Sequence, residues 1–411
     1  MEIIIIIILN LTLFWRVITL NRVVDDTIIK QPLLDRLIYY FKNKKFLQII
    51  RVFGNTGTFC NIKHDHIFSL CIHILASLCV YWFLDSFIAA CLFAAHPTSN
   101  QIACWCNGKR YGYGVIIMLF IYSYFNFIVA LQLLILFNIP YILNMIHKRR
   151  LNVPEGSELI KLCPLKAVIY LKTFHYYFWN TLIPINIGMY HSYLNAFATD
   201  KEMTKYYYSF NWEFWKSLIT FISVLALIIT QWSNPIGFGL FWFWLFISPW
   251  CNIITITQYI GDRYAYLPNV GLMYALAHLL QIFPYGIPAF LMFYSLQTWK
   301  ILPAYKDMHT YLLWHVQNQP NSPQPLAYLI NHYINKMMLM SANYWVDIST
   351  KKFPKDAQIN LQAAVFYSII GKYKKAQTWL DRCKENSIPS FKKRIQEQID
   401  IIQKKINWGL K

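Results

Sequence analysis

The sequence predicts an all-α protein: a polytopic membrane helix bundle over residues 1–303, then a short helical repeat domain over residues 304–411. Three observations carry this reading. First, 56% of the 411 residues are hydrophobic and only 14% are charged, against about 25% charged in soluble domains, and the mean hydropathy is +0.33. Second, long apolar runs recur up to about Pro303 and then stop. Third, Pro320, Pro354 and Pro389 follow at spacings of 34 and 35 residues, a helix–turn–helix period. Aromatics reach 18%, with 15 Trp, which suits rings at bilayer interfaces.

The opening stretch MEIIIIIILNLTLFWRVITL lacks the basic flank and small-residue cleavage site of a signal peptide, so it reads as a retained first transmembrane helix. Its isoleucines favour strand, but a lone strand leaves its backbone unpaired in lipid. A polar, acidic stretch runs from Asn21 to about Asp65. Apolar segments resume at Ile67–Leu84 and Phe87–Ala95, then from Val115 to Ile146, too long for one helix and expected to turn near Asn126. His147, Lys148, Arg149 and Arg150 close that block as a basic cytoplasmic loop. An amphipathic stretch spans Leu165–Leu194, followed by apolar runs at Trp215–Gln231, Gly237–Thr257, Leu267–Phe283 and Ile287–Leu302. Crossing hydrocarbon takes roughly 20 apolar residues, so nine to eleven spans are expected, several of them tilted, re-entrant or paired. Beyond Pro303, Ala364, Gly371 and Ala376 are small where paired helices must approach closely. An ordinary helical hairpin with coincidental prolines is the alternative there. Fewer than three full repeats fit, so this domain needs the membrane part or a partner to cap it.

The balance of 38 Lys+Arg over 19 Asp+Glu gives +19. In this setting the excess points to positive-inside loops, anionic headgroups or a lipid phosphate rather than to nucleic acid. Nine Cys are scattered, and Cys104 with Cys106 is CxC, so neither a zinc site nor a disulfide framework is argued.

Four clusters could carry chemistry. Asp25-Asp26 follows the first span; one carboxylate could act as general base, with its neighbour orienting it or binding a divalent metal such as Mg or Mn. A solvated acidic loop is the alternative. Next, His96-Pro97 leads to Gln101, Trp105, Asn107, Gly108, Lys109 and Arg110, where the two cations could hold a phosphate or simply set topology. Asp262-Arg263, at the start of a late apolar run, needs a partner or an anionic ligand at membrane depth; an internal Asp–Arg pair is the alternative. His191, after Gly188, could be catalytic or structural. His66 and His73, seven residues apart, share one helix face about 10 Å apart and read as polar contacts within a bundle.

Taken in order, these segments resemble the multi-spanning O-mannosyltransferases with C-terminal tetratricopeptide repeats, a group comprising the cadherin-targeting animal enzymes and bacterial relatives. VVDDTIIKQPLLDR resembles the family's acidic pair, HIFSLCIH its "H…N…H" helix with Ser69 at the Asn position, HPTSNQIACWCNGK its "HP…E.VAW..GR" block, and DRYAYLPNVG its "ERYLYLP..G" block. The resemblance covers nearly the whole chain, with Gln101 in place of the usual Glu, Lys109 in place of the usual Arg, and a shortened stretch between Ile146 and Leu165.

The resemblance implies a GT-C-like glycosyltransferase that takes a monosaccharide, mannose in the family, from a polyprenyl-phosphate donor on the non-cytoplasmic side. Asp25 and Asp26 would then supply the catalytic base. Arg263, with Lys109 and Arg110, would hold the donor phosphate, and His96, Trp105, Gln101, Asp262 and His191 would support the site. A single displacement on a protein or glycan hydroxyl would invert the anomeric centre. The repeats would select a polypeptide acceptor or recruit a protein partner. The expected location is a bacterial cytoplasmic membrane, or the endoplasmic reticulum in a eukaryote. A catalytically degenerate membrane scaffold, using the repeats to gather partners, is the competing expectation.

Overall fold

The computed structural model describes residues 1–21, 33–43, 61–105, 108–124, 165–188, 191, 209–252, 260–387, 392 and 395–409. Among these the regular structure is entirely helical. Three helices are long and apolar enough to cross a membrane: Glu2–Thr19, Ile62–Leu84 and Trp212–Thr230.

Helix α1 (Glu2–Phe14) runs on as a 3-10 turn over Trp15–Thr19. Ile4, Ile8, Leu11 and Trp15 lie exposed along one side, while Ile6, Leu13, Phe14 and Val17 are buried. That spacing is a two-faced helix with an apolar outer face, as lipid requires. Asn10, in the body of this helix, turns inward and donates to the Ile6 carbonyl at 2.9 Å. A short amphipathic helix, α2 (Leu33–Lys42), lies in the stretch expected to be an acidic loop.

Helix α3 (Ile62–Leu84) begins where the Asn61 side chain accepts from Lys63 N at 2.9 Å and ends at Asp85, whose φ of 46° is left-handed. Its length alone suffices to span the hydrocarbon of a bilayer. It runs antiparallel to α1: the Tyr81 hydroxyl donates to the Glu2 carboxylate at one end, and His73 meets Phe14 edge-on farther along. Ser86 caps α4 (Phe87–Ala95), which is buried from Ala89 to Ala95. With fewer than three full turns, α4 is too short to cross lipid and packs inside the bundle. A 3-10 turn (Pro97–Ser99), α5 (Asn100–Ala103) and α6 (109–124) follow.

The amphipathic stretch forms α7 (Leu165–Leu182) and stops there rather than at Leu194. It ends just before Pro184, whose ring disfavours helical geometry in the residue ahead of it. Helix α8 (Trp212–Thr230) shows Ile219, Ile222 and Ile229 outward. Helices α9 (Pro235–Ile247) and α10 (Tyr266–Ile282) cross closely through a pair of glycines. A Cβ on Gly239 would lie 2.4 Å from the Gly271 carbonyl oxygen, and one on Gly271 2.5 Å from that of Gly239. Small residues let apolar helices approach where no hydrophobic force drives them together. Helix α11 (Gly286–Ile301) and a 3-10 turn (Leu302–Lys306) complete this part.

Beyond it lie α12 (Met308–Asn318), α13 (Pro323–Asn335), α14 (Leu339–Lys352), α15 (Ala357–Ile369), α16 (Tyr373–Asn386) and α17 (Gln396–Gly409). The hairpins α13–α14 and α15–α16 are in register: the step from Pro323 to Ala357 equals the step from Leu339 to Tyr373. Their turns match as well. Met338 N donates to the Tyr333 carbonyl at 2.9 Å, and Lys372 N to that of Tyr367 at 3.0 Å. Each is the six-to-one bond of a Schellman cap. The intervening residue is left-handed in both turns, Met337 at φ 56° and Gly371 at φ 75°. A Cβ on Gly371 would meet nothing within 4 Å, so this glycine serves backbone conformation, not the close helix approach expected of it. Ala364, Ala376 and Leu380 are fully buried between the helices.

Candidate functional site

The residues singled out around 96–110 and 262–263 meet beside the end of α7. His96 ends α4 and accepts from Thr98 N at 3.2 Å through Nδ1. Its Nε2 lies 2.7 Å from the Thr181 carbonyl of α7 and must donate to it, which fixes the tautomer. The ring is fully buried and meets Tyr294 of α11 at 4.8 Å. Both nitrogens are engaged, so His96 positions helices; it is not arranged to shuttle a proton. Thr298 of α11 adds a bond to the Ala95 carbonyl at 2.8 Å.

Gln101 uses both ends of its amide. The nitrogen donates to the Gly188 carbonyl at 3.1 Å, and the oxygen accepts from Arg263 N at 3.2 Å. A carboxylate here would accept from Arg263 but oppose the Gly188 carbonyl, so an amide is the group this place requires. Gly188 N in turn donates to Asp262 at 2.5 Å. Segments near positions 101, 188 and 262 are thus clasped through one glycine. A Cβ on Gly188 would press on His315 Nε2 at 3.0 Å, so α12 is seated directly on this clasp.

Asp262 is almost wholly buried. Besides Gly188 N it takes a weak bond from Asn180 at 3.4 Å and sits 3.1 Å from His191 Nε2. His191 Nδ1 is 2.6 Å from the Tyr176 hydroxyl, itself 3.0 Å from the Asn186 carbonyl. Carboxylate, imidazole and phenol therefore lie in a buried row of close contacts beside the loop leaving α7.

Arg263 points the other way. The internal Asp262–Arg263 pair entertained as an alternative does not form: Asp262 pairs with His191, while the Arg263 guanidinium enters an aromatic pocket. It lies 4.6 Å from the Tyr264 ring centroid and 5.5 Å from that of Trp105, and donates to the Tyr264 hydroxyl at 2.9 Å. Trp250 stacks on Tyr264 at 4.4 Å. Tyr111 lies within electrostatic reach of Arg263 and meets Tyr264 edge-on at 6.1 Å, and exposed Arg110 donates to that same Tyr111 hydroxyl at 3.2 Å. Two cations, one buried and one open to solvent, are thus each bonded to one of two touching phenols. Such guanidinium–aromatic packing holds charge in place while leaving polar edges usable.

Lys109 goes elsewhere. It is fully buried, with Nζ 3.6 Å from Asp65 and 5.7 Å from the Phe68 ring centroid. Gly108 makes this turn possible, because a Cβ there would fall 1.8 Å from the Gln101 carbonyl oxygen. His73, the second of the paired histidines, bridges the Tyr266 hydroxyl at 2.6 Å and the Ala94 carbonyl at 3.3 Å. His66 is also buried.

Asp25 and Asp26 lie outside the described residues, as do Asn107 and the 147–150 cluster. Among the described residues no group of three or more His, Cys, Asp or Glu is placed to hold a metal ion. Sequence reasoning missed Asp65, Tyr111, Tyr176 and Tyr264 as partners in this region. For Asp65 a signal existed, because Asn61 is a helix cap that moves Asp65 out of the loop and into α3. Comparison with protein-family models, curated proteins and solved structures finds no match to this chain.

Proposed function

We propose that the chain is a multi-pass membrane glycosyltransferase of the GT-C kind that moves a monosaccharide from a polyprenyl-phosphate donor to a protein or glycan hydroxyl. The observation that carries this reading is a buried guanidinium, Arg263, held on Trp105 and Tyr264, with Arg110 bonded to neighbouring Tyr111. Two guanidiniums carried on adjacent tyrosines suit the charge that builds up on a departing lipid phosphate. In this scheme the acceptor oxygen forms the new bond to the anomeric carbon. The bond from that carbon to the phosphate oxygen breaks, its electron pair leaves with the phosphate, and the acceptor proton passes to Asp25 or Asp26. One displacement inverts the anomeric centre.

Asn21 N donates to the Lys306 carbonyl at 3.0 Å, and neighbouring Tyr305 is buried within electrostatic reach of Asp262 and Arg263. The matched hairpins after Ser322 read as tetratricopeptide repeats that present or select a polypeptide acceptor. The buried pairing of Lys109 with Asp65 favours the second reading, a membrane-anchored scaffold in which part of the site has become structural.

The test is sugar transfer by the purified full chain in proteoliposomes, with radiolabelled polyprenyl-phosphate mannose and a serine/threonine peptide. Arg263→Ala is expected to lower transfer about 10²–10³-fold, and Asp25→Asn or Asp26→Asn about 10²–10⁴-fold, with retention in the membrane unchanged. Wild type silent with mannose, glucose and N-acetylglucosamine donors, yet still retaining protein partners, would replace the enzyme with the scaffold.

A further inference from the structure

A second place on the molecule is built for an anionic ligand, apart from the Arg263 cluster. Where α1 ends and α11 ends, a half-open pocket of about 600 Å³ is lined by Thr12, Trp15, Arg16 and Thr19 from one side and Trp299 and Lys306 from the other. Among the described residues its charged lining groups are Arg16 and Lys306, both cations. Arg16 is positioned by stacking, its guanidinium 5.2 Å from the Trp15 ring centroid, and Thr19 ties the turn by donating to the Arg16 carbonyl at 2.7 Å. Lys306 is placed by the bond from Asn21 N to its carbonyl at 3.0 Å. The two helices otherwise meet along only a short stretch.

The surroundings select a lipid over a water-soluble anion. The exposed stripe Ile4, Ile8, Leu11, Trp15 descends along α1 into this pocket, and Leu13, Leu20 and Leu302 form its apolar wall. Tryptophans half-exposed at the end of an apolar helix mark headgroup depth. We infer that the pocket binds the phosphate of an anionic diacyl phospholipid, held between Arg16 and Lys306 under Trp15 and Trp299, with an acyl chain along the outer face of α1. The lipid would close the thin α1–α11 seam, and it would do so whether or not the chain transfers sugar.

Native mass spectrometry of the full detergent-solubilised chain tests this, titrating phosphatidylglycerol against phosphatidylcholine of identical chains. Each cation near a headgroup is worth roughly fivefold. Wild type is therefore expected to retain phosphatidylglycerol preferentially, and R16Q/K306Q to bind it about 30-fold more weakly, near parity with phosphatidylcholine. Arg16→Lys should keep the preference. Both residues are exposed, so the fold should survive; if the double variant does not, quenching by brominated phosphatidylglycerol decides, since Trp15→Phe/Trp299→Phe should remove a share of the quenching seen in wild type. Equal retention of both lipids by wild type, unchanged retention by R16Q/K306Q, unchanged quenching, or displacement of the lipid by millimolar inorganic phosphate would each overturn the proposal.

Discussion

Around Gly188, segments far apart in the chain are joined through polar atoms, whereas between Pro323 and Asn386 neighbouring helices are joined through small and apolar side chains. The polar clasp commits a full set of donors and acceptors to one glycine: Gln101 on its carbonyl, Asp262 on its nitrogen. The hairpins instead repeat one simple device, an apolar face plus a left-handed turn, in successive units of equal length. In the clasp each group is buried, so removing one strands the others, and an unmatched buried polar group costs more than a matched one returns. In the hairpins the loss of one contact is shared among many similar ones.

The clasp should therefore break hardest. Asp262→Ala leaves His191 and Gly188 N facing a void in a buried place, and is expected to cost about 3–5 kcal/mol, as orphaning one member of a buried pair usually does. Thermal unfolding of the purified variant in detergent measures it. If Asp262→Ala melts at the wild-type temperature, water already serves these groups and the clasp is not a tight one. Asp262→Asn, which keeps an acceptor oxygen, should fall between the two.

The difference between these regions also explains what could be read in the sequence. Apolar runs marked α4, α8, α10 and α11 to within a few residues, because burial in a bundle writes itself into composition, whereas the run expected over Gly237–Thr257 matches α9 only at its start, since that helix ends at Ile247. Phe87–Ala95 emerges with the bounds expected of it, set off by Ser86 on one side and His96-Pro97 on the other. The expectation of nine to eleven spans outran the three long apolar helices seen among the described residues, because elements such as α4 are apolar but short and buried. The clasp was legible only as isolated polar residues. That Gln101 would meet Gly188 and His73 would meet Tyr266 depends on how helices cross, and no local period encodes a partner 87 or 193 residues away.

On α12, between the two regions in the chain, acidity should sharpen the contrast. His315 of α12 is buried against Gly188, and burial, with His191 nearby, pulls its imidazole down from 6.5 to about 3, although a bond to the Tyr311 carbonyl works the other way. The unfolded chain therefore takes up this proton first. Stability is retained above about pH 6.5 and lost as the pH falls from there toward 3, by at most about 1.4 kcal/mol per pH unit for one such group. His315→Gln cannot titrate, and should flatten that acid limb while leaving the neutral-pH melting point close to its own plateau. An acid limb of unchanged slope in His315→Gln would assign the loss to other groups.

The smallest effects should come from the hairpin turns, and they should carry opposite signs. Met337 and Gly371 occupy the same place in successive units, both left-handed and each just ahead of the residue that makes the six-to-one bond. A side chain in that conformation costs roughly 1 kcal/mol, which glycine avoids. Met337→Gly should therefore raise stability by up to about 1 kcal/mol, less what the freer unfolded chain takes back. Gly371→Ala should lower it by a similar amount, and purely through backbone strain, because the space around that Cβ is open. Met337 is itself two-thirds exposed, so little packing is lost with its side chain. Chemical denaturation of both variants, read by tryptophan fluorescence, checks the pair. Shifts of the same sign would mean that the two turns are not equivalent, and that their common register is a matter of helix length alone.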